Sequence, residues 1–315
     1  SIALTASLFL SFSYCFFLFL VVAEVYTLNT FFLALEMYLI IRWADTREFK
    51  YLGLWTLSFG LSLANHVSSI LLLPGFAFLI LASPTNTWAN AKNIFKMTIL
   101  MAIGLSFYLY LPLMASRAPQ LNYMEYYSNV SLTSLSGVLW MITGQAYQIF
   151  ISVDRSDMAR EFSLLVGYLF KNSGWIGLIL AAIGIYKLAI KQFTLTMATI
   201  LMFISYLCFY TVYNVVDKET MLLPAHIILV LWMASGMQVI IDKAKKLPWS
   251  NSQSKFAMAV MISAVLVVTL TNLPLVDRSD DRAAEHLVEK VFSTAPYNSI
   301  VVSDWSPSVI LEYYQ

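Results

Sequence analysis

Nine apolar runs separated by polar connectors leave this chain little choice of fold. They cover residues 1–22, 25–43, 51–65, 67–83, 97–114, 174–190, 194–214, 221–241 and 256–276. A helix that crosses a bilayer needs roughly 20 apolar residues at 1.5 Å rise each, so these runs read as membrane spans. The third and fourth are short for full crossings, yet 52–81 is too long for one helix. That stretch therefore reads as a helical hairpin, with Asn65 and His66 at its apex and Gly60 and Pro74 as bends. Composition agrees: 59% hydrophobic, 12% charged and a mean hydropathy of +0.72 lie far from soluble domains. The expected fold class is an all-α polytopic membrane protein.

The charges orient it. Arg42, Arg47, Lys50, Lys92, Lys96, Lys187, Lys191, Lys243, Lys245, Lys246 and Lys255 fall on one side if successive runs cross in alternate directions. Lys/Arg clusters mark the cytoplasmic side. Most acidic residues then collect on the opposite, outer side, so polar chemistry is expected there. The net charge of +1 and the lack of any basic stripe give no reason to expect nucleic acid. Cys15 and Cys208 sit inside apolar runs and suggest neither a disulfide framework nor a metal site. Three histidines, at 66, 226 and 286, have no metal-ligand spacing, and no HExxH or GxSxG motif occurs.

Two outer segments are too long to be turns. The stretch between Ala115 and Ser173 has helical periodicity at Leu135, Leu139 and Ile142 and reads as interfacial amphipathic helices. It also carries a glycosylation sequon, Asn129-Val130-Ser131. From 277 onward a charged helix-like stretch, 281–293, precedes a strand-like 299–303, which reads as the opening of a soluble α/β domain. Domains are thus expected at 1–276, transmembrane, and 277–315, outer and soluble. The chain starts inside an apolar run without Met, and both ends read as cut from a longer protein.

Candidate residues gather at the outer ends of the runs. Glu24, between the first two, either lines a polar cavity or ends a helix among headgroups. His66, beside Asn65, either binds a phosphate or sugar hydroxyl or caps its turn. Arg117 suits a bidentate grip on a lipid phosphate, or snorkels to ordinary headgroups. In the turn Asp217-Lys218-Glu219, Lys218 could neutralise a leaving phosphate while Asp217 or Glu219 orients it; a solvated turn is the alternative. Glu36 lies inside the second run and needs a partner, read as a buried hydrogen bond or a proton relay. A cavity joining a carboxylate with cationic grips would suit transfer from a polyprenyl-phosphate-linked donor.

Several segments resemble a known family: 23–29 (AEVYTLN), 60–66 (GLSLANH), 108–113 (YLYLPL), 139–145 (LWMITGQ), the turn 217–224 and the outer segment 299–314. In order and spacing they are similar to the multispanning O-mannosyltransferase-like family, grouped as glycosyltransferase family 117. The chain departs from that pattern at Val67, where a polar residue is expected, and at Glu36, where an apolar one is. The resemblance implies a GT-C-like bundle passing a sugar from a polyprenyl-phosphate donor to an acceptor protein at the lumenal or periplasmic face. It also implies a main catalytic acid in a first outer loop upstream of Ser1, leaving Glu24 a supporting role and this chain inactive alone. It implies membrane lipid, the lipid-linked sugar and an acceptor protein as partners, with no cofactor beyond the donor. The host membrane would be the bacterial inner membrane or the endoplasmic reticulum. A transporter or lipid flippase, or a non-catalytic membrane scaffold, is the alternative.

Overall fold

The computed structural model describes residues 2–21, 25–83, 88–117, 129–215, 218–245, 250–303 and 305–314; side chains at 250–258, 261, 305 and 306 are outside the description. Among the described residues all regular elements are helical, apart from an isolated antiparallel bridge between Ile151 and Tyr213. The helices are α1 (Ile2–Phe12), α2 (Tyr14–Leu20), α3 (Tyr26–Thr46), α4 (Phe49–Asn65), α5 (Leu73–Leu81), α6 (Ala91–Leu105), α7 (Tyr110–Ala115), α8 (Leu135–Ile142), α9 (Arg155–Lys191), α10 (Phe193–Val212), α11 (Leu223–Ala244), α12 (Ser250–Val276), α13 (Ala283–Thr294) and α14 (Trp305–Tyr313). Four 3₁₀ segments join them: η1 (Val67–Leu72), η2 (Ser106–Leu109), η3 (Gln145–Phe150) and η4 (Lys218–Leu222). Each of the nine apolar runs is mainly helical. Four stretches, Ala91–Ala115, Arg155–Lys191, Phe193–Val212 and Lys218–Ala244, are long and apolar enough to cross a membrane, and α1 with α2 makes a fifth if the bent pair is one span.

The chain divides into two compact units, 1–272 and 273–315. In the first, α11 is the central helix: 67% of its apolar window is buried, against 6% for Ala91–Ala115. It packs on α9, α1 and α10, while α4 packs on α3 and α6. The face of α6 through η2 turns Phe95, Ile99, Ile103 and Phe107 outward. Lipid is as apolar as a helix face, so such exposure is costless in a bilayer.

Several sequence expectations change here. The first run is not one straight span but breaks at Ser13 with a 69° bend. Its orphan backbone groups are met from afar: the Cys15 N–H donates to Asn172 Oδ1 at 2.8 Å, and Asn272 Nδ2 donates to the Phe12 carbonyl at 2.9 Å. With no water to solvate them, a break inside a membrane needs such partners. In the hairpin, Pro74 opens α5 in its first turn instead of bending a helix. Gly60 is likewise no bend; a Cβ there would meet the Met101 carbonyl at 2.9 Å, so it marks the α4–α6 crossing. The real kink is at Gly174 (φ 59°) in α9, a helix that begins nineteen residues before the run expected at 174–190. Residues 299–303 form no strand. Ile300 and Val302 are 92% exposed, and a strand without a partner has no ladder to stabilise it. Helix α14 follows instead of further β structure, so among the described residues the second unit is helical.

Local signals set the ends. Arg47, in the left-handed conformation (φ 62°), closes α3, and its guanidinium hydrogen-bonds Ser83 Oγ just after α5, joining the C-terminal ends of the two helices. Asp154 caps α9, accepting from the Ser156 hydroxyl and from the N–H groups of Ser156 at 2.8 Å and Asp157 at 3.4 Å. The Ser156 hydroxyl first, then these two N–H groups, hold the Asp154 carboxyl below its ordinary value. A lowered folded value means the cap's contribution is complete above the unfolded value, about 3.9, and is lost as pH falls through the folded one. Asp154→Asn keeps the acceptor without the titration, so its unfolding temperature is expected to fall less than the wild type's between about pH 5 and pH 3. Thermal unfolding of both proteins across that range checks this.

Candidate functional site

The polar end of α4 builds the site. The helix stops at Asn65, and His66 takes an extended conformation (φ −152°, ψ 118°) before η1 starts. There His66 Nδ1 accepts the Ser68 N–H at 3.3 Å and contacts Ser68 Oγ at 2.6 Å. Its ring packs on Tyr26 at 5.5 Å between centroids. With Nδ1 an acceptor, the neutral ring carries its proton on Nε2. Asn65 Nδ2 donates to the Val25 carbonyl at 3.4 Å, tying this corner to the start of α3. The Tyr108 hydroxyl donates to the Leu63 carbonyl, bringing η2 alongside.

These contacts frame a cavity of about 870 Å³. Its wall comes from the same ends of α3, α4, η1, α7, α8, η3, α10 and η4 that the charge pattern assigns to the outer side. One part is apolar, with Ile70, Leu71, Phe107 and Leu111; another is polar, with Asn65, His66, Thr143 and Gln148. That size and mixture are typical of sites for organic ligands. The apolar part suits a hydrocarbon chain and the polar part a headgroup.

The sequence-predicted residues divide. Asn65 and His66 line the cavity, and His66 also fulfils the capping role weighed against function. Arg117 is exposed just beyond α7 and is not among the cavity-lining residues. Lys218 is no solvated turn residue: its ammonium is buried in an ion pair with Glu161 of α9, and Arg160 joins from 3.0 Å. Lys218 Nζ also lies 4.4 Å from the centre of the Tyr210 ring. Its charge is thus already matched by a carboxylate, which leaves little for a leaving phosphate. Glu219 has an exposed position, and its carbonyl accepts the Tyr168 hydroxyl at 3.1 Å. Glu24 and Asp217 lie outside the described residues. No group of three or more His, Cys, Asp or Glu side chains able to hold a metal occurs among the described residues.

Glu161 is the residue that sequence reasoning missed. Its signal is the buried series Glu161, Leu165, Tyr168 and Asn172, one face of α9 at helical spacing. That face packs inward, where an interfacial helix was expected.

Comparison with known proteins bears on the first third of the chain. Residues 1–92 match the family model described as the protein O-mannosyl-transferase TMEM260 N-terminal domain. The match runs from α1 through α5 to the first two residues of α6 and includes Asn65 and His66, while the rest of α6 and the chain after it lie beyond it. No curated protein and no solved structure matches the chain. The match supports an O-mannosyltransferase-like family, and the apolar helices make the chain an integral membrane protein.

Proposed function

We propose that this chain is the membrane part of a GT-C-type glycosyltransferase of family 117, with nine membrane helices. It takes a sugar, in the first instance mannose, from a polyprenyl-phosphate donor and passes it to a Ser or Thr hydroxyl of an acceptor protein at the outer face. The observation that carries this reading is the cavity with an apolar wall and a polar lip, whose Asn65–His66 corner falls in the part matching an O-mannosyltransferase domain. The prenyl chain would lie along Ile70, Leu71, Phe107 and Leu111, with the sugar phosphate toward Asn65 and His66. In the reaction the acceptor oxygen bonds to the anomeric carbon. The bond from that carbon to the lipid phosphate oxygen breaks, the phosphate keeps the electron pair, and a carboxylate takes the acceptor's proton. Glu24 is a supporting candidate for that carboxylate. Arg117, exposed just beyond α7, is the cation proposed to meet the departing phosphate, and Lys218 orders its turn through Glu161.

The test gives the whole protein, in lipid nanodiscs, a polyprenyl-phosphate mannose or glucose and a Ser/Thr peptide, with glycopeptide read by mass spectrometry. Transfer is expected, with kcat/KM lowered roughly 10- to 100-fold in Asn65→Ala and His66→Ala. Absence of transfer from either donor by the wild type overturns the reading.

A further inference from the structure

Because α9 packs inward, α8 and η3 are what remains of the long segment expected at the interface. Residues 135–153 carry no charge. They are nevertheless no span: α8 has 8 residues, about 12 Å at 1.5 Å each, against roughly 30 Å of hydrocarbon to be crossed. Leu135, Ile149 and Val153 are 77%, 81% and 76% exposed, and Leu139 is half-exposed. Large apolar side chains gathered on a surface in this way call for a cover other than water.

Continuity makes lipid that cover. The stretch Ala91–Ala115 is long and apolar enough to cross a membrane, and its Leu109 and Leu113 point outward. Its η2 and α7 line the cavity with Phe107 and Leu111, and α8 and η3 line the same cavity with Thr143 and Gln148. The exposed residues of α8 and η3 thus stand beside the cavity end of a lipid-facing helix. The polar groups of the segment are also closed off. At the joint after α8 the N–H groups of Thr143 and Gly144 donate to the carbonyls of Leu139 and Met141 at 2.9 and 3.0 Å, and the Thr143 hydroxyl donates to the Leu139 carbonyl at 2.8 Å. After η3 the Ser152 N–H donates to the Val212 carbonyl, and the Asn214 N–H to the Phe150 carbonyl, both at 2.8 Å. Water would satisfy such groups at an aqueous surface, whereas lipid leaves the protein to do so.

We propose that α8 and η3 form a membrane-dipping element, with Leu135, Leu139, Ile149 and Val153 in contact with the acyl chains of the leaflet on the cavity's side. The dip is shallow, because an irregular joint such as Gly144 is not tolerated facing lipid in the hydrocarbon core. Interfacial segments lie about 5–10 Å into the boundary between headgroups and acyl chains. The element is then a wall between bilayer and cavity: Thr143 and Gln148 line the cavity, and none of the four lipid-facing residues does. This placement needs no glycosyl transfer, so it stands or falls apart from the function proposed above.

The experiment attaches a nitroxide to Ile149→Cys or Val153→Cys of the full chain in nanodiscs. Both carry Cys208→Ser, because Cys208 is exposed and Cys15 buried. Paramagnetic resonance compares collisions with oxygen, which concentrates in lipid, and with a nickel chelate, which stays in water. Ile103→Cys on α6 is the lipid reference and Glu289→Cys on α13 the aqueous one. Both labels are expected to match Ile103 in their excess of oxygen over nickel collisions and to report a depth of about 5–10 Å. Leu139→Cys repeats the measurement if either variant fails to fold. Nickel access at either position equal to that at Glu289 places the element in water and overturns the proposal. Shielding from both reagents means that protein covers the surface, and overturns it too.

Discussion

Gly236→Leu is expected to be among the most damaging single substitutions in this chain. Gly236 of α11 and Gly184 of α9 face each other where the two helices cross, and the approach is backbone to backbone. A Cβ on Gly236 would run into the Leu180 carbonyl, and one on Gly184 into the Trp232 carbonyl. Neither obstacle is the movable end of a side chain, so relief requires the helices to part along the central contact of the first unit. Between membrane helices this close fit is itself the attraction, because lipid competes on equal terms for apolar side chains. A loss above about 3 kcal/mol is expected for Leu at either position, the upper range for overpacking. Gly167, in the same helix α9, is the control. A Cβ there meets nothing within 4 Å, so Gly167→Ala is expected to be neutral or to stabilise by up to about 1 kcal/mol through helix propensity. Thermal unfolding in nanodiscs compares the three variants. Equal losses at 167 and 236 would show that the crossing does not set stability.

What could be read from the sequence, and what could not, follows from the range of the interactions. Apolar runs specify helices locally, which is why all nine were visible. Asn65 and His66, which line the cavity, stood out for a similar reason: two polar residues ending an apolar run are conspicuous once the runs alternate in direction. The break at Ser13 was hidden because its partners, Asn172 and Asn272, are 157 and 260 residues away. Glycine was ambiguous in the same way. Gly60 and Gly174 look alike in sequence, yet one is a contact and the other a kink, and only the opposing helix decides. The run 299–303 has strand-forming residues, but β propensity expresses itself only against a neighbouring strand. The burial of Lys218 was hidden because its partner Glu161 lies in a segment polar enough to pass for an interfacial helix.

That ion pair carries the second large effect. Lys218 and Glu161 side chains are 8% and 6% exposed, and both would have to leave water without full compensation if separated. Removing one partner of a buried pair costs about 3–5 kcal/mol, chiefly because the other charge remains buried. Lys218→Met is expected near 3 kcal/mol, the lower end, because Arg160 still reaches Glu161 from 3.0 Å. Glu161→Gln is expected to cost as much or more, since it strands an ammonium whose other contacts are the Tyr210 ring and carbonyl. The double variant Glu161→Gln with Lys218→Met buries no charge and should recover a large part of either loss. Arg160→Ala, in contrast, removes a side chain 60% exposed and should cost less than about 1 kcal/mol. A double-mutant cycle on unfolding, run beside the glycosyl-transfer assay, separates the two roles considered for Lys218. If the lysine gripped a departing phosphate, Lys218→Met would lose transfer while keeping its stability, and the double variant would stay inactive. With the lysine serving to pin η4 to α9, stability and transfer should fall together in the single variants and return together in the double.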